Sequence, residues 1–269
     1  MMSMIRKSAG YSTSVISAVA LSLMIGLGAS SGASAGEAEA KGLLKAMSDY
    51  LAAQKSISFE YDTNLEVVTK DQQKILLASS GTTSLSRPDK FRATRFGGFA
   101  NVELIFDGKV LTLLGKEANL YAQAEVPGTV DHLISQLRDQ FQRPLPGADL
   151  LMSNPYDELM IDVVDAKDLG SGVIGGTECD HLAFRAKDVD WQIWIAQGER
   201  PYPCRYVITS KLIDLGPQYS IEIRDWKTGI DVAADDFGFK NTTSATKIEM
   251  DKLTDIDELP SHFTIGGRQ

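Results

Sequence analysis

Apolar residues recur at every second position through most of this chain. From Ile57 to Thr69, Ile57, Phe59, Tyr61, Leu65 and Val67 fall on one side. Ser58, Glu60, Asp62, Asn64 and Glu66 fall on the other. Successive side chains of a strand point to opposite faces, so this pattern predicts a long strand with one wet face. The signal is densest between Cys179 and Thr209. There Val189, Trp191, Ile193 and Ile195 alternate with Asp190, Gln192 and Trp194, and Cys204, Tyr206 and Ile208 alternate with Arg205, Val207 and Thr209. Cys179 to Arg185 is a third, weaker strand. Lys187 and Asp188 turn the chain before Val189, and Gly198, Pro201 and Pro203 make Gln197 to Pro203 a loop. The expectation is an antiparallel meander with one apolar and one mixed face, which puts Trp191 and Trp194 on opposite sides.

Ahead of that meander lies a helix over Gly36 to Lys55, with Leu43, Leu44, Met47, Tyr50 and Leu51 at helical spacing. After the first strand, Lys74 to Ser86, Lys90 to Phe96, Asn101 to Phe106, a strand from Val110 and Leu120 to Val126 follow as further strands. Pro88 and Asp89 break the second, and Asp107 with Gly108 marks a hairpin. The middle then changes character. Thr129 caps a helix whose apolar face is Leu133, Ile134, Leu137 and Phe141, and Pro144 and Pro146 end it. Ala148 to Met152 and Tyr156 to Met160 read as short helical pieces. Val163 with Val164, and Val173 with Ile174, read as short strands around a glycine-rich turn. Beyond the meander, Tyr219, Ile221 and Ile223 mark a strand, Phe237 and Phe239 a short one, and Thr246 to Glu249 a last one.

No internal repeat or linker divides the 269 residues. The expected fold is mainly β (α+β): a curved antiparallel sheet forming an incompletely closed barrel, with the N-terminal and central helices packed over its concave face. Residues 36–269 form one domain, its acidic tail from about 255 loosely ordered.

The first 35 residues read as a cleaved signal peptide. Arg6 and Lys7 give the positive end, Val15 to Leu27 the apolar stretch, and Ala33, Ser34 and Ala35 the small-residue cleavage site. No cysteine follows the cut to take a lipid, and no later apolar run is long enough to span a bilayer. The expected location is the periplasm, soluble and without a stable membrane anchor. The net charge of −9 repels phosphate backbones, so nucleic acid is not an expected partner.

Export permits a disulfide, and Cys179 and Cys204 are the two cysteines of the chain. If their strands flank the one between them, the Cα atoms sit about 9.5 Å apart, beyond the ~7 Å a disulfide tolerates. Both lie near strand ends, where twist or a skipped pairing brings flanking strands together. The spacing therefore leaves both the bridged and the unbridged pair open, and a bridge would be a staple, since no Cys-x-x-Cys makes a reactive pair.

Chemistry-bearing motifs are missing. His132, His181 and His262 have no paired spacing for a metal cage. Asp180 and His181 are neighbours on a strand and face opposite sides. No nucleophile elbow, phosphate loop or calcium loop occurs. No catalytic residue, metal or cofactor is therefore expected, although catalytic groups can converge from distant strands.

Gly81 to Leu85, Arg87 with Pro88, Phe91, and then Phe106, Asp107, Gly108 and Lys109 stand in an order that resembles the periplasmic lipoprotein carrier (LolA-like) family. The segment from Asp231 to Phe239 resembles that family's closing segment. The stretch from Cys179 to Thr209 is more similar still to a family of predicted periplasmic proteins of unknown function, thought to share the fold. The resemblance implies helices in the mouth of a half barrel whose interior takes acyl chains. It also implies that Arg87 reaches lid-helix carbonyls and holds the cavity closed. Departures bear on lipoprotein transport more than on the fold. The run after Gly108 is aliphatic, Asn241 and Thr242 replace a proline pair, and extra residues occur around Pro144 to Gly176.

The chain thus reads as a non-enzymatic periplasmic binding protein for a lipid or acylated partner. Its candidate lining residues are Phe59, Tyr61, Phe91, Trp191, Ile193 and Tyr206 from the strands and Leu133, Leu137 and Phe141 from the lid. The alternative is a structural or protein-interaction module with a plugged cavity, and a third reading is a hydrolase using His181 or Asp190.

Overall fold

A computed structural model describes residues 31–253 except 99, 142, 144 and 233–235. Most of the expected leader and the whole acidic tail from 255 lie outside the described residues. Helix α1 spans Ser31–Ala53 and leads into β1, Ser56–Val68, where Ile57, Phe59, Tyr61, Thr63 and Val67 are buried as the alternation requires. β2 (Lys74–Ser86), β3 (Lys90–Gly97), β4 (Ala100–Phe106), β5 (Val110–Gly115) and β6 (Leu120–Glu125) continue as antiparallel hairpins. The β4–β5 turn forms as expected. Gly108 takes φ +89°, and the Asp107 carboxylate accepts from the backbone N–H groups of Lys109 and Val110 at 2.9 and 2.8 Å.

A helical crossover follows. α2, Val130–Asp139, is capped by Thr129, whose hydroxyl accepts from the His132 N–H. A 3₁₀ segment, Ala148–Leu151, and α3, Pro155–Leu159, complete it. The chain then re-enters the sheet at its far edge with β7 (Asp165–Ile174) and returns through β8 (Thr177–Arg185), β9 (Val189–Ala196), β10 (Pro203–Ser210) and β11 (Gln218–Thr228). β11 pairs with β1, joining the two meanders into one sheet. With β12 (Thr246–Lys247) parallel to β6, twelve strands run in the order β12-β6-β5-β4-β3-β2-β1-β11-β10-β9-β8-β7. The sheet does not close, and β12 and β7 are its edges.

Two expectations are corrected. Val163 and Val164 precede the sheet, and the predicted pair of short strands is one strand, β7. It passes Gly170, at φ +85°, in a bulge between Asp168 and Ser171, and the reversal comes later at Gly175 and Gly176. Phe237 and Phe239 form no strand. Phe239 instead packs on Tyr121, ring centroids 4.8 Å apart, as the segment after β11 covers the outer side of β3 to β6. Ile105, Thr112 and Glu103 are buried too, outside the apolar core shared with the helices.

The inner sheet face and the helices share one apolar core. Leu44, Met47 and Leu51 of α1, Leu133 and Leu137 of α2, and Leu150 and Leu151 of the 3₁₀ segment meet Phe91, Phe106, Trp191 and Ile193 there. At about 1.5–3 kcal/mol for each large apolar side chain removed from water, this contact holds the helices on the concave face of the sheet.

Candidate ligand-binding interior and its lid

The nine candidate lining residues do come together. Phe59, Tyr61, Phe91, Trp191, Ile193 and Tyr206 point inward from β1, β3, β9 and β10, Leu133 and Leu137 face them from α2, and Phe141 packs half-buried just beyond α2. They do not surround an open space. They pack on one another: Phe184 stacks on Trp191 at 3.9 Å between centroids, and Tyr206 meets Trp191 edge-on at 5.7 Å.

A cavity of about 20 Å³ remains at one end of this interior, lined by Leu51, Phe59, Leu150, Ile221, Ile223 and Trp226 among others. It has room for about one water molecule, and its walls are almost wholly apolar. Among the predicted lining residues only Phe59 reaches it. Trp226 was missed because strict alternation from Tyr219, Ile221 and Ile223 turns Asp225 inward and Trp226 out. A bulge between the Glu60–Arg224 and Ser58–Lys227 pairs, with Asp225 at φ +51°, reverses that parity. Trp226 then stacks on Phe59 at 5.5 Å and on Tyr202 at 5.3 Å, and its indole N–H donates to the Tyr50 hydroxyl at 3.4 Å. An aspartate where the inward pattern needs an apolar residue was the available signal.

Arg87 sits at the rim, on the turn between β2 and β3, where the Arg87–Pro88 peptide is cis. Its Nε donates to the Gln54 carbonyl, just past α1, at 3.2 Å. Its terminal nitrogen donates to the Met152 carbonyl, at the end of the 3₁₀ segment, at 3.1 Å. Burial pulls the guanidinium pKa down, and the nearby Asp131 carboxylate pushes it back up. Asp131 in turn accepts from the Ser153 N–H at 3.0 Å and from its hydroxyl, and the Val130 N–H donates to the Pro88 carbonyl at 2.9 Å. One side chain and its neighbours therefore tie α1, α2 and the 3₁₀ segment to the sheet rim. Inside the lid, burial raises the Asp149 carboxyl pKa. Glu158 reinforces the shift and Arg138 opposes it.

The residues of the hydrolase reading stay apart. His181 stacks on Trp194 at 4.0 Å on the outer face and bonds Gln192 at 3.0 Å, while Asp180 accepts from Gln197. Asp190 lies 3.7 Å from both Arg185 and Lys211. Among the described residues no cluster of His, Cys, Asp or Glu could hold a metal, and no helix is long and apolar enough to cross a membrane.

Cys179 and Cys204 are buried and not bonded to each other in this structure, with Sγ atoms 2.8 Å apart. Of the two arrangements the sequence left open, the strand-end one is found. β9 ends at Ala196, opposite Cys179, and the β9–β10 register shifts between Pro203 and Arg205, so Cys204 sits in a bulge at the point where the intervening strand stops.

Twelve strands in one unclosed sheet with helices seated on its concave face make an open half barrel. The chain belongs to the family described as predicted periplasmic protein (DUF2092), whose model matches residues 40–251, and with that family it is a periplasmic protein. The match bears out the likeness read from Cys179 to Thr209. No curated protein matches the sequence. Among solved structures, a chain of the Pseudomonas aeruginosa MucA/MucB complex is 13% identical over 75% of this chain and 61% of its own, with a TM-score of 0.44. LprF from Mycobacterium bovis is 10% identical over 75% and 98%, with a TM-score of 0.46. A LolA superfamily protein from Nitrosomonas europaea is 12% identical over 70% and 92%, with a TM-score of 0.31. The chain spans under two thirds of the MucA/MucB chain's length.

Proposed function

We propose that this is a non-enzymatic periplasmic binding protein for a lipid or acylated partner, described here with its lid closed. The observation that carries the reading is Arg87. A core that had only to be stable needs no cation at its rim, yet Arg87 spans from the sheet to the ends of two lid elements through neutral carbonyls. Hydrogen bonds from a charged donor contribute about 1.5–3 kcal/mol each, enough to bias the lid shut and small enough for a ligand to overcome. Opening exposes apolar lid side chains at about 1.5–3 kcal/mol each, and an acyl chain returns about 0.8 kcal/mol per methylene it buries. About ten methylenes offset the exposure of about four such side chains.

The test is binding of a fluorescent fatty-acid probe to the wild type and to Arg87→Ala. Saturable binding, faster in the variant, supports the reading. Absence of binding in both contradicts it.

The filled interior favours a second reading, a plugged module that meets a partner protein through its outer surface. Recovery of one tight partner by crosslinking in the periplasm, with no lipid in the purified protein, would select it.

A further inference from the structure

We propose that Cys179 and Cys204 are joined in the exported protein, and that the bond fixes the loop 197–202 whose Tyr202 ring braces the mouth of the apolar interior. The first half stands on the geometry of the thiols alone. The second deepens the ligand-binding reading and rests on it.

The two sulfurs lie within 2.8 Å of each other past the end of β9, buried to 0% and 2% exposure. Around them are Ile174, Ala196, Trp194 and Tyr202. Two sulfurs without further ligands are not a metal site, and thiols in apolar surroundings are poor nucleophiles. Burial raises both thiol pKa values, which keeps them protonated at neutral pH. Proximity without reactivity is the signature of a cross-link made once, in an oxidising compartment.

The reaction is thiol–disulfide exchange with the disulfide of a dithiol oxidase. One thiolate attacks that disulfide and forms a mixed disulfide, releasing one oxidase thiol. The second cysteine then attacks the mixed disulfide, forming the Cys179–Cys204 bond and releasing the other oxidase thiol. Two electrons and two protons pass to the oxidase. Because folding buries both sulfurs, the exchange runs while the chain is still folding after export.

The bond acts on the mouth through a short path. The Ala196 N–H donates to the Tyr202 carbonyl at 2.9 Å, and the Gln197 N–H donates to the Glu178 carbonyl at 3.0 Å, so the loop is held at its two ends beside the cysteines. Tyr202 packs against the cysteine cluster and stacks on Trp226 with an interplanar angle of 6°. Trp226, Phe59 and Pro203 line the small cavity. A single residue, Pro203, separates the ring at the mouth from a covalent anchor.

The full-length protein, purified from periplasm and denatured without reductant, is reacted with a maleimide–polyethylene glycol reagent. We expect no labelled thiol before reduction and two after it. Two labelled thiols without reduction overturn the bridge. Amide exchange is then compared in the oxidised protein, the protein treated with dithiothreitol, and a Cys179→Ala, Cys204→Ala variant. Exchange in 197–202 should quicken about tenfold without the bond, with β1 to β3 unchanged. Equal exchange in all three overturns the role at the mouth. A bridged protein whose loop loosens on reduction but which takes up no fatty-acid probe in any state upholds this inference and refutes the ligand-binding reading instead.

Discussion

Tyr61 lies flat over Gly81 and donates its hydroxyl to the Thr94 carbonyl at 2.7 Å, crossing β2 to reach β3. A Cβ on Gly81 would stand 2.0 Å from that carbonyl oxygen and 2.5 Å from the Tyr61 hydroxyl. Gly81→Ala should therefore destabilise the fold by about 2–4 kcal/mol, read as a lower urea midpoint. Tyr61→Phe should cost only about 1 kcal/mol. Burial holds the Tyr61 phenol protonated, its pKa pushed up to about 12. On the outer face, Glu103 is buried between Arg92 and Lys116, 2.7 and 2.9 Å away. Burial disfavours its charge, but the two cations prevail and hold its pKa below the usual carboxylate value. Its contribution to stability is full above the unfolded value of ~4.3 and is lost as pH falls through the lowered folded value. Glu103→Gln should lower Tm at pH 7 and flatten the acid side of the Tm–pH curve. A variant curve parallel to the wild type across pH 2–6 contradicts this. Alternation alone made Tyr61 and Trp191 readable as inward residues. Cys204 and Trp226 were misplaced for one shared reason. A bulge adds a residue to one strand and reverses every later side chain, and neither bulge carries the glycine that would mark it.

At the scale of elements, the lid is where sequence patterns and structure divide. The cap at Thr129 and the apolar faces of α1 and α2 were legible because helical spacing and capping chemistry are local. Which carbonyls Arg87 meets was not, because Met152 lies 65 residues further along the chain. The family resemblance supplied that expectation where spacing could not. Arg87→Ala should lower Tm and quicken probe uptake. Arg87→Lys should fall between, since an ammonium is a point charge without the fork that spans two carbonyls. Indistinguishable variants would remove the latch. Asp149 gives the lid a pH dependence of opposite sign to Glu103. Its folded pKa is raised, so its favourable contribution is complete below the unfolded value of ~3.9 and declines as pH rises through the folded value. Asp149→Asn should raise Tm at pH 7, with the difference vanishing near pH 3. A lower Tm at pH 7 contradicts the assignment.

For the whole molecule, one many-stranded curved sheet was foreseeable from the number of alternating segments and from the lack of a linker, though its twelve strands are fewer than the segments read from the sequence. The strand order was not. β11 closes on β1 across more than 150 residues, and the helical crossover carries the chain from one edge of the sheet to the other. Hairpin signals are local, and nothing local encodes which meander meets which. Whether the interior is open or filled was equally hidden, because it depends on the summed volume of side chains from a dozen elements packed to close density. Under the proposed function, the nearly void-free interior and the bonds of Arg87 to two carbonyls fit together when the helices move to admit a ligand.

Native mass spectrometry of the protein from periplasm, with parallel lipid extraction, tests that claim most directly. The account predicts a fraction carrying an added mass that extraction recovers as an acyl-chain species. That fraction should fall in Arg87→Ala if an unlatched lid releases the ligand during purification. A bare chain mass, empty extracts and no probe uptake by wild type or variant would contradict the account and leave the interior as an ordinary core.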